Sequence, residues 1–202
     1  MLKDLNNLNS AETNTYFNET LETLSAITLR NIRQKIDDPT LSEVVSMIIN
    51  ARRIFGLGGG NSGDFLQILI RRLMHIGFEA YMVGETTTPA ANNEDLLIVA
   101  SGSAEYNFEK IKETGIQILL FTSNIEVKGL EESDLVVIIQ DRRLKGKNIS
   151  SNNIVGVEKI APMGTIFETS FCLYVLALIA LLMKKTGKRE GEMENMHANI
   201  KF

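Results

Sequence analysis

The sequence predicts an α/β domain in which helices cover both faces of a parallel sheet. Three observations carry that expectation. Between residues 53 and 140, short apolar runs alternate with stretches of helical periodicity. The central runs, such as Leu96-Leu97-Ile98-Val99-Ala100, are apolar at every position, as in strands buried on both faces. Two runs end in turns rich in glycine or serine, each followed by a helical pattern. Strand, turn and helix in repetition build parallel sheets through right-handed crossovers.

The elements follow in order. Thr13 to Asp37 places Phe17, Leu21, Leu24, Thr28 and Ile32 near helical spacing. A second helix, Leu41–Asn50, follows Asp38-Pro39-Thr40, a start signal with proline close to the first turn. The alternation then runs strand Arg53–Gly56, helix Ser62–Ile76, strand Ala80–Val83, strand Leu96–Ala100, helix Glu105–Thr114 and strand Gln117–Phe121, with a last strand at Leu135–Gln140. Asp141 to Asn153 is polar and reads as a loop. Helix Gly164–Thr186 and a short helical tail from Arg189 end the chain. We see no repeats or low-complexity linker. The expectation is one domain over residues 1–202, with residues 1–50 as helices packed on it and 187–202 as a tail.

Length and composition fit that reading. A chain of 202 residues is ample for one core and short for two. A net charge of −4 argues against a nucleic-acid surface, which is normally basic, but not against a small anionic ligand. Cys172 is the single cysteine, so no internal disulfide forms and a reducing cytosol is the simple expectation. Its neighbours are apolar, which favours packing over nucleophilic chemistry. The apolar run Phe171 to Met183 is shorter than the roughly 18 residues of a membrane span, and Met1-Leu2-Lys3-Asp4 is no signal pattern. The run reads as a buried or subunit-interface helix.

The two turns carry the chemistry. Gly58-Gly59-Gly60-Asn61-Ser62-Gly63 and Ser101-Gly102-Ser103 each join a strand to a helix, where free N–H groups and the positive end of the helix dipole seat an anion. Two such seats at adjacent strand ends suit one phosphate-bearing ligand. The first turn also satisfies G-x-G-x-x-G, with Glu85 about twenty residues on, the spacing of a dinucleotide site. By pattern alone, a dinucleotide site and a turn that simply needs glycine stand equal. The second hydroxyl-rich seat counts against the dinucleotide, and no Lys-Ser/Thr follows the glycines as a Walker loop requires.

Several runs then occur in order: Arg72 to Phe78, Val83-Gly84-Glu85-Thr86-Thr87-Thr88-Pro89, Ser101-Gly102-Ser103, Pro162-Met163-Gly164-Thr165-Ile166-Phe167-Glu168, and His197-Ala198-Asn199. Together they resemble the sugar isomerase (SIS) domain family, in its 6-phospho-3-hexuloisomerase branch, from about residue 15 onward. The resemblance implies a doubly wound, flavodoxin-like sheet of five parallel strands. It implies interconversion of 3-hexulose 6-phosphate and fructose 6-phosphate without metal or cofactor, in a cytoplasmic homo-oligomer (dimer or tetramer) whose sites are shared between subunits. No nucleic-acid or membrane partner is expected; regulators of this superfamily carry an added helix-turn-helix domain, for which residues 1–50 are neither basic nor long enough.

Carried over by position, Ser62, Ser101 and Ser103 hold the phosphate, with Gly60, Asn61 and Tyr106 beside them. Glu168 moves the proton and His197 works near the sugar oxygens. Glu85, with Thr86, Thr87 and Thr88, reads either as a loop at the strand ends that lines the sugar site or a subunit contact, or as a hydrogen-bonded turn before Pro89. Glu168 has two readings from the residues alone: a base that relays a proton between carbons, or a first-turn glutamate that balances the helix dipole. His197, near the end of the sequence, otherwise reads as a tail residue. His75 reads as packing or interface. Arg142, Arg143, Lys145 and Lys147 read as a solvated loop rather than a lid. The chain departs from the family pattern at Asn61, where an arginine is usual, and at Ala104 and Tyr106, where glycine and threonine are usual. Losing the arginine removes a bidentate donor. Lys201 stands where an acidic residue is more common.

Overall fold

The computed structural model describes residues 9–103, 105–126, 129–141, 161 and 164–197. Helices α1 (Ser10–Arg33) and α2 (Leu41–Asn50) precede strand β1 (Ile54–Leu57), helix α3 (Gly60–Ile76), strands β2 (Ala80–Met82) and β3 (Leu96–Ala100), and helix α4 (Phe108–Lys112). Strand β4 (Gln117–Thr122), helix α5 (Gly129–Glu132), strand β5 (Leu135–Ile138), and helices α6 (Thr165–Thr186) and α7 (Glu190–Glu194) complete the order. All pairings are parallel, and the strands lie in the order β2-β1-β3-β4-β5. This is the flavodoxin-type doubly wound sheet, with its switch point between β1 and β3.

Alternate residues of β3 serve the two faces. Leu96, Ile98 and Ala100 pack with α2, α3 and α6, while Leu97 and Val99 pack with Phe108 of α4. All five are buried, which is why the run reads as unbroken apolar sequence. Arg53 and Arg52, just before β1, close on Asp95, just before β3. Arg53 meets its carboxylate at 2.7 Å and Arg52 at 3.3 Å, and Asn92 N–H donates at 2.8 Å. Asp95 is 1% exposed. Burial pushes its pKa up, but Arg53, the Asn92 amide and Arg52 together hold it below the usual carboxylate value.

The boundaries differ from expectation where side chains cap the chain. Helix α1 starts at Ser10 rather than Thr13, because Asn9 and Glu12 form a capping box: Asn9 Oδ1 accepts from Ala11 and Glu12 N–H, and Glu12 accepts from Asn9 N–H. It stops at Arg33 rather than Asp37, and residues 34–37 form a turn that ends with Asp37 at φ 59°. Asp38 then takes the Thr40 N–H and hydroxyl and pairs with Lys35 at 2.7 Å. Burial opposes its charge, yet Lys35 and Thr40 hold its pKa down to about 2. Helix α4 is five residues long, half the expected span, and α5 is an addition to the expected elements. The last strand ends at Ile138, not Gln140. Arg142, Arg143, Lys145 and Lys147 lie outside the described residues.

Helix α6, with 22 residues, is long and apolar enough by composition to cross a membrane. Half of its most apolar stretch is buried against the domain, where α6 packs on α1 and α3. Its remaining face leaves Leu173 and Leu176 exposed beside Ala177 and Ala180. Cys172 is half-buried, and burial raises its thiol pKa, as packing predicts.

Candidate functional site

Strands β1 and β3 are neighbours, with Leu57 opposite Val99, so the two turns leave the sheet side by side at its carboxyl edge. The glycines of the first turn are demanded by packing. A Cβ on Gly63 would stand 2.5 Å from the Gly58 carbonyl oxygen, and one on Gly58 would stand 2.8 Å from Gly63 Cα. Only glycine lets the loop fold this tightly onto the start of α3. Gly59 caps α3 without a side-chain bond, and no acidic residue occupies the first turn. The first amides of α3 therefore keep their donors and the positive dipole end for a ligand.

The second turn is built differently. Ser101–Ser103 does not lead straight into a helix: α4 begins only at Phe108 and is capped by Asn107, whose side chain accepts from Lys110 N–H at 3.1 Å. The expected helix-dipole seat thus exists at the first turn only. The serine turn is instead pinned from β4, since Ser123 Oγ donates to the Gly102 carbonyl at 3.1 Å and Asn124 Nδ2 to the Ser103 carbonyl at 3.2 Å. The Ser101 N–H also donates to the Phe121 carbonyl at 3.0 Å, so β4 holds all three residues of the turn. Ser62 and Ser103 are half-buried.

Glu168 occupies the first turn of α6, which packs against α3. Asn61 Nδ2 donates to Glu168 Oε2 at 3.2 Å. The other oxygen folds back over the start of its own helix, where a Cβ on Gly164 would lie 3.1 Å from Oε1. Beneath it, buried Phe167 stacks on Phe171 with ring centroids 5.8 Å apart. Phe167 also reaches within 3.8 Å of where a Gly102 Cβ would be, which ties α6 to the serine turn.

Tyr106 supplies a further link. Its hydroxyl lies 3.6 Å from the Cβ position of Gly59 and takes the Gly59 backbone N–H, while its ring meets Phe108 edge-on at 6.2 Å. Burial raises the phenol pKa, and the Gly59 bond opposes the shift. Three segments far apart in sequence, the glycine turn, the serine turn and the start of α6, therefore meet at one edge.

Not every predicted residue joins them. Glu85 and Thr86 are exposed in a turn beyond β2, at Gly84 with φ 99°, and the turn is bound to itself through Glu85 N–H to Met82 O and Thr88 Oγ1 to Met82 O. His197 lies at the opposite end of α3, its ring 4.1 Å from that of His75. Asn61 and His75 are about 21 Å apart along the helix axis, so His197 and Glu168 of one chain do not share a cleft. The sequence reading misses Ser123, Asn124 and the Phe167–Gly102 contact. Thr122-Ser123-Asn124 is the available signal, a third polar triplet directly after an apolar strand. Among the described residues no group of three His, Cys, Asp or Glu is placed to hold a metal ion.

No family model matches the chain. A 3-hexulose-6-phosphate isomerase of Bacillus subtilis is 32% identical over 177 residues, 85% of this chain and 92% of that protein. A crystal structure from Methanococcus jannaschii, for which the function of 3-hexulose-6-phosphate isomerase was inferred, aligns at TM-score 0.75 and 30% identity over 91% of this chain and 99% of that one. The chain belongs to the SIS family of phosphosugar isomerases. The same fold recurs at 16% identity in a Listeria monocytogenes protein described as a sugar-phosphate isomerase, with a TM-score of 0.71 over 94% of this chain and 98% of that one. The glycine pattern of the first turn accordingly belongs to an SIS sheet of order 2-1-3-4-5, and the dinucleotide reading falls with the strand order.

Proposed function

We propose that this SIS protein is a ketose-phosphate isomerase that interconverts 3-hexulose 6-phosphate and fructose 6-phosphate without metal or cofactor. The observation that carries the reading is the carboxylate of Glu168, which stands where α6 meets the donor-rich start of α3. The names of the relatives supply the substrate class. In this mechanism the phosphate rests on the α3 amides with Ser62, Ser101 and Ser103, and Gly60, Asn61 and Tyr106 complete the wall. Glu168 removes the proton from the hydroxyl-bearing carbon, the electrons form an enediolate with the adjacent carbonyl, and the same carboxyl returns the proton to the neighbouring carbon. His197 of another copy passes the proton between the two oxygens. Glu85 and Thr86 contribute to the sugar side or to the subunit contact.

A homo-oligomer, dimer or tetramer, follows from this arrangement, because the imidazole of the same chain is out of reach. The exposed Leu173 and Leu176 of α6 and Tyr16, Phe17 and Leu21 of α1 offer apolar faces for it. The assembly works in the cytoplasm. A second reading, a phosphosugar sensor without turnover, draws on Asn61 and Tyr106, whose polar atoms are engaged with Glu168 and Gly59 rather than left for ligand.

Fructose 6-phosphate in deuterated buffer separates the two. The isomerase incorporates solvent deuterium on carbon, and Glu168→Gln slows this by roughly 10²–10⁴-fold while ligand still raises the melting temperature. Ligand stabilisation with no exchange in the native protein identifies the sensor.

A further inference from the structure

We propose that Asn61 is a positioning residue for Glu168, a neutral amide that fixes the carboxylate in the cleft without compensating its charge. The inference rests on the isomerase reading and assigns Asn61 a task distinct from holding phosphate. Its basis is the 3.2 Å bond from Asn61 Nδ2 to Glu168 Oε2, which joins the second residue of α3 to the first turn of α6. A carboxylate only accepts hydrogen bonds, so the amide must present its nitrogen here.

Glu168 needs such a restraint. It is partly exposed, its side chain has three torsions, and Gly164 leaves open space beside Oε1 that a larger residue would fill. Phe167 and Phe171 fix the helix beneath it but do not touch the direction of the carboxyl. One bond from Asn61 to Oε2 sets that direction and leaves Oε1 available to take the proton. A guanidinium at this position would hold the group equally well but would form an ion pair, which favours the ionised form and weakens the base. A neutral donor orients the carboxylate without adding a counter-charge. The same reasoning separates Asn61 from the amides of the first turn: those face an anion, whereas the Asn61 side chain already serves one inside the protein.

The test compares Asn61→Leu, Asn61→Gln and Asn61→Arg with the native chain. Exchange of solvent deuterium into fructose 6-phosphate is followed against pH, and the Glu168 carboxyl carbon, assigned with Glu168→Gln, is titrated by NMR. Asn61→Leu is expected to lower kcat by ~10- to 100-fold with KM little changed, the cost of a misdirected base. Asn61→Gln recovers part of that loss. Asn61→Arg moves both the acid limb of the exchange profile and the carboxyl titration to lower pH than in the native protein. A rise in KM with unchanged kcat in Asn61→Leu would make Asn61 a ligand contact and overturn the proposal while leaving the isomerase intact. A native chain without exchange would end the isomerase reading instead. The NMR arm then still decides: a Glu168 titration identical in the native protein and Asn61→Leu overturns the positioning bond, and one moved to higher pH by Asn61→Leu supports it.

Discussion

At the carboxyl edge of the sheet the chain places glycine, hydroxyls and the Glu168 carboxylate, whereas at the amino edge it places charges that answer one another. Gly58 and Gly63 fold the first turn tightly onto α3, Phe167 ties the serine turn to α6, and Asn61 joins α3 to Glu168. Arg53, Arg52 and Asp95 consume theirs in an ion cluster that ties the starts of β1 and β3. Helix α3 connects the edges, with Asn61 at one end and the tilted His75–His197 ring pair at the other. The two edges thus differ: one is closed by an ion cluster, and the other is the edge where the proposed function seats the ligand.

The largest effect that would break this contrast concerns the histidine. If the amino-edge tail serves only its own chain, His197→Ala should barely affect exchange. On the shared-site reading, Glu168→Gln and His197→Ala each cost roughly 10²–10⁴-fold alone. Co-expressed as a mixed oligomer, they recover activity, because some clefts join an intact Glu168 to an intact His197 from another copy. Recovery in mixed oligomers, absent when the two purified variants are kept apart, is the measurement. No recovery would confine His197 to packing on His75.

The ion cluster gives the next effect. Asp95→Ala removes the shared carboxylate of Arg53 and Arg52 and leaves Arg53 with the Ala90 carbonyl and the Phe55 ring, which is expected to cost about 3 kcal/mol in urea or thermal unfolding. Turnover per folded molecule should be preserved, since the change lies at the far edge. The native carboxylates also predict acid sensitivity. The pKa values of Asp95 and Asp38 are depressed in the fold, Asp38 to about 2. Their contribution is fully present above the unfolded carboxyl pKa of roughly 4 and is lost as pH falls through the folded values. In Asp95→Ala the slope of stability against pH in that window becomes shallower.

The carboxyl edge is partly legible in the sequence. Leu96 to Ala100 declares a buried strand, Gly58–Gly63 declares a turn that needs glycine, and both prove to lie at the switch point. Asn61 and Glu168 each stand out, but their bond does not, because 107 residues separate them and only the packing of α3 on α6 joins them. The shortened α4 is hidden for a different reason. Residues 105 to 114 read as continuous helix, yet Tyr106 turns back to Gly59 and Asn107 caps a later start. The start of α1 is written in Asn9 and Glu12, spaced as a capping box, whereas the apolar spacing points to a start at Thr13. Motifs signal which backbone groups need partners, whereas pairings across the fold depend on topology.

The smallest effect sharpens the amino edge itself. His75 is buried with Nδ1 unpartnered, and burial, then His197, Arg72 and Arg71, lower its pKa. A histidine whose folded pKa lies below the unfolded value, roughly 6.5, contributes stability that is complete above that value. The contribution is lost as pH falls through the folded pKa, because the unfolded chain then binds the proton more readily. Removing His197 removes one source of the depression but not the burial. The His75 ring should therefore titrate by proton NMR at a somewhat higher pH in His197→Ala than in the native chain, and both should stay below the free value. If the His75 titration is the same in both, the two imidazoles do not meet in solution and the tail does not end on α3. If it shifts, His197 has a resting place within its own chain, and reaching a neighbouring cleft requires leaving it, so acidification that protonates His75 would favour the release.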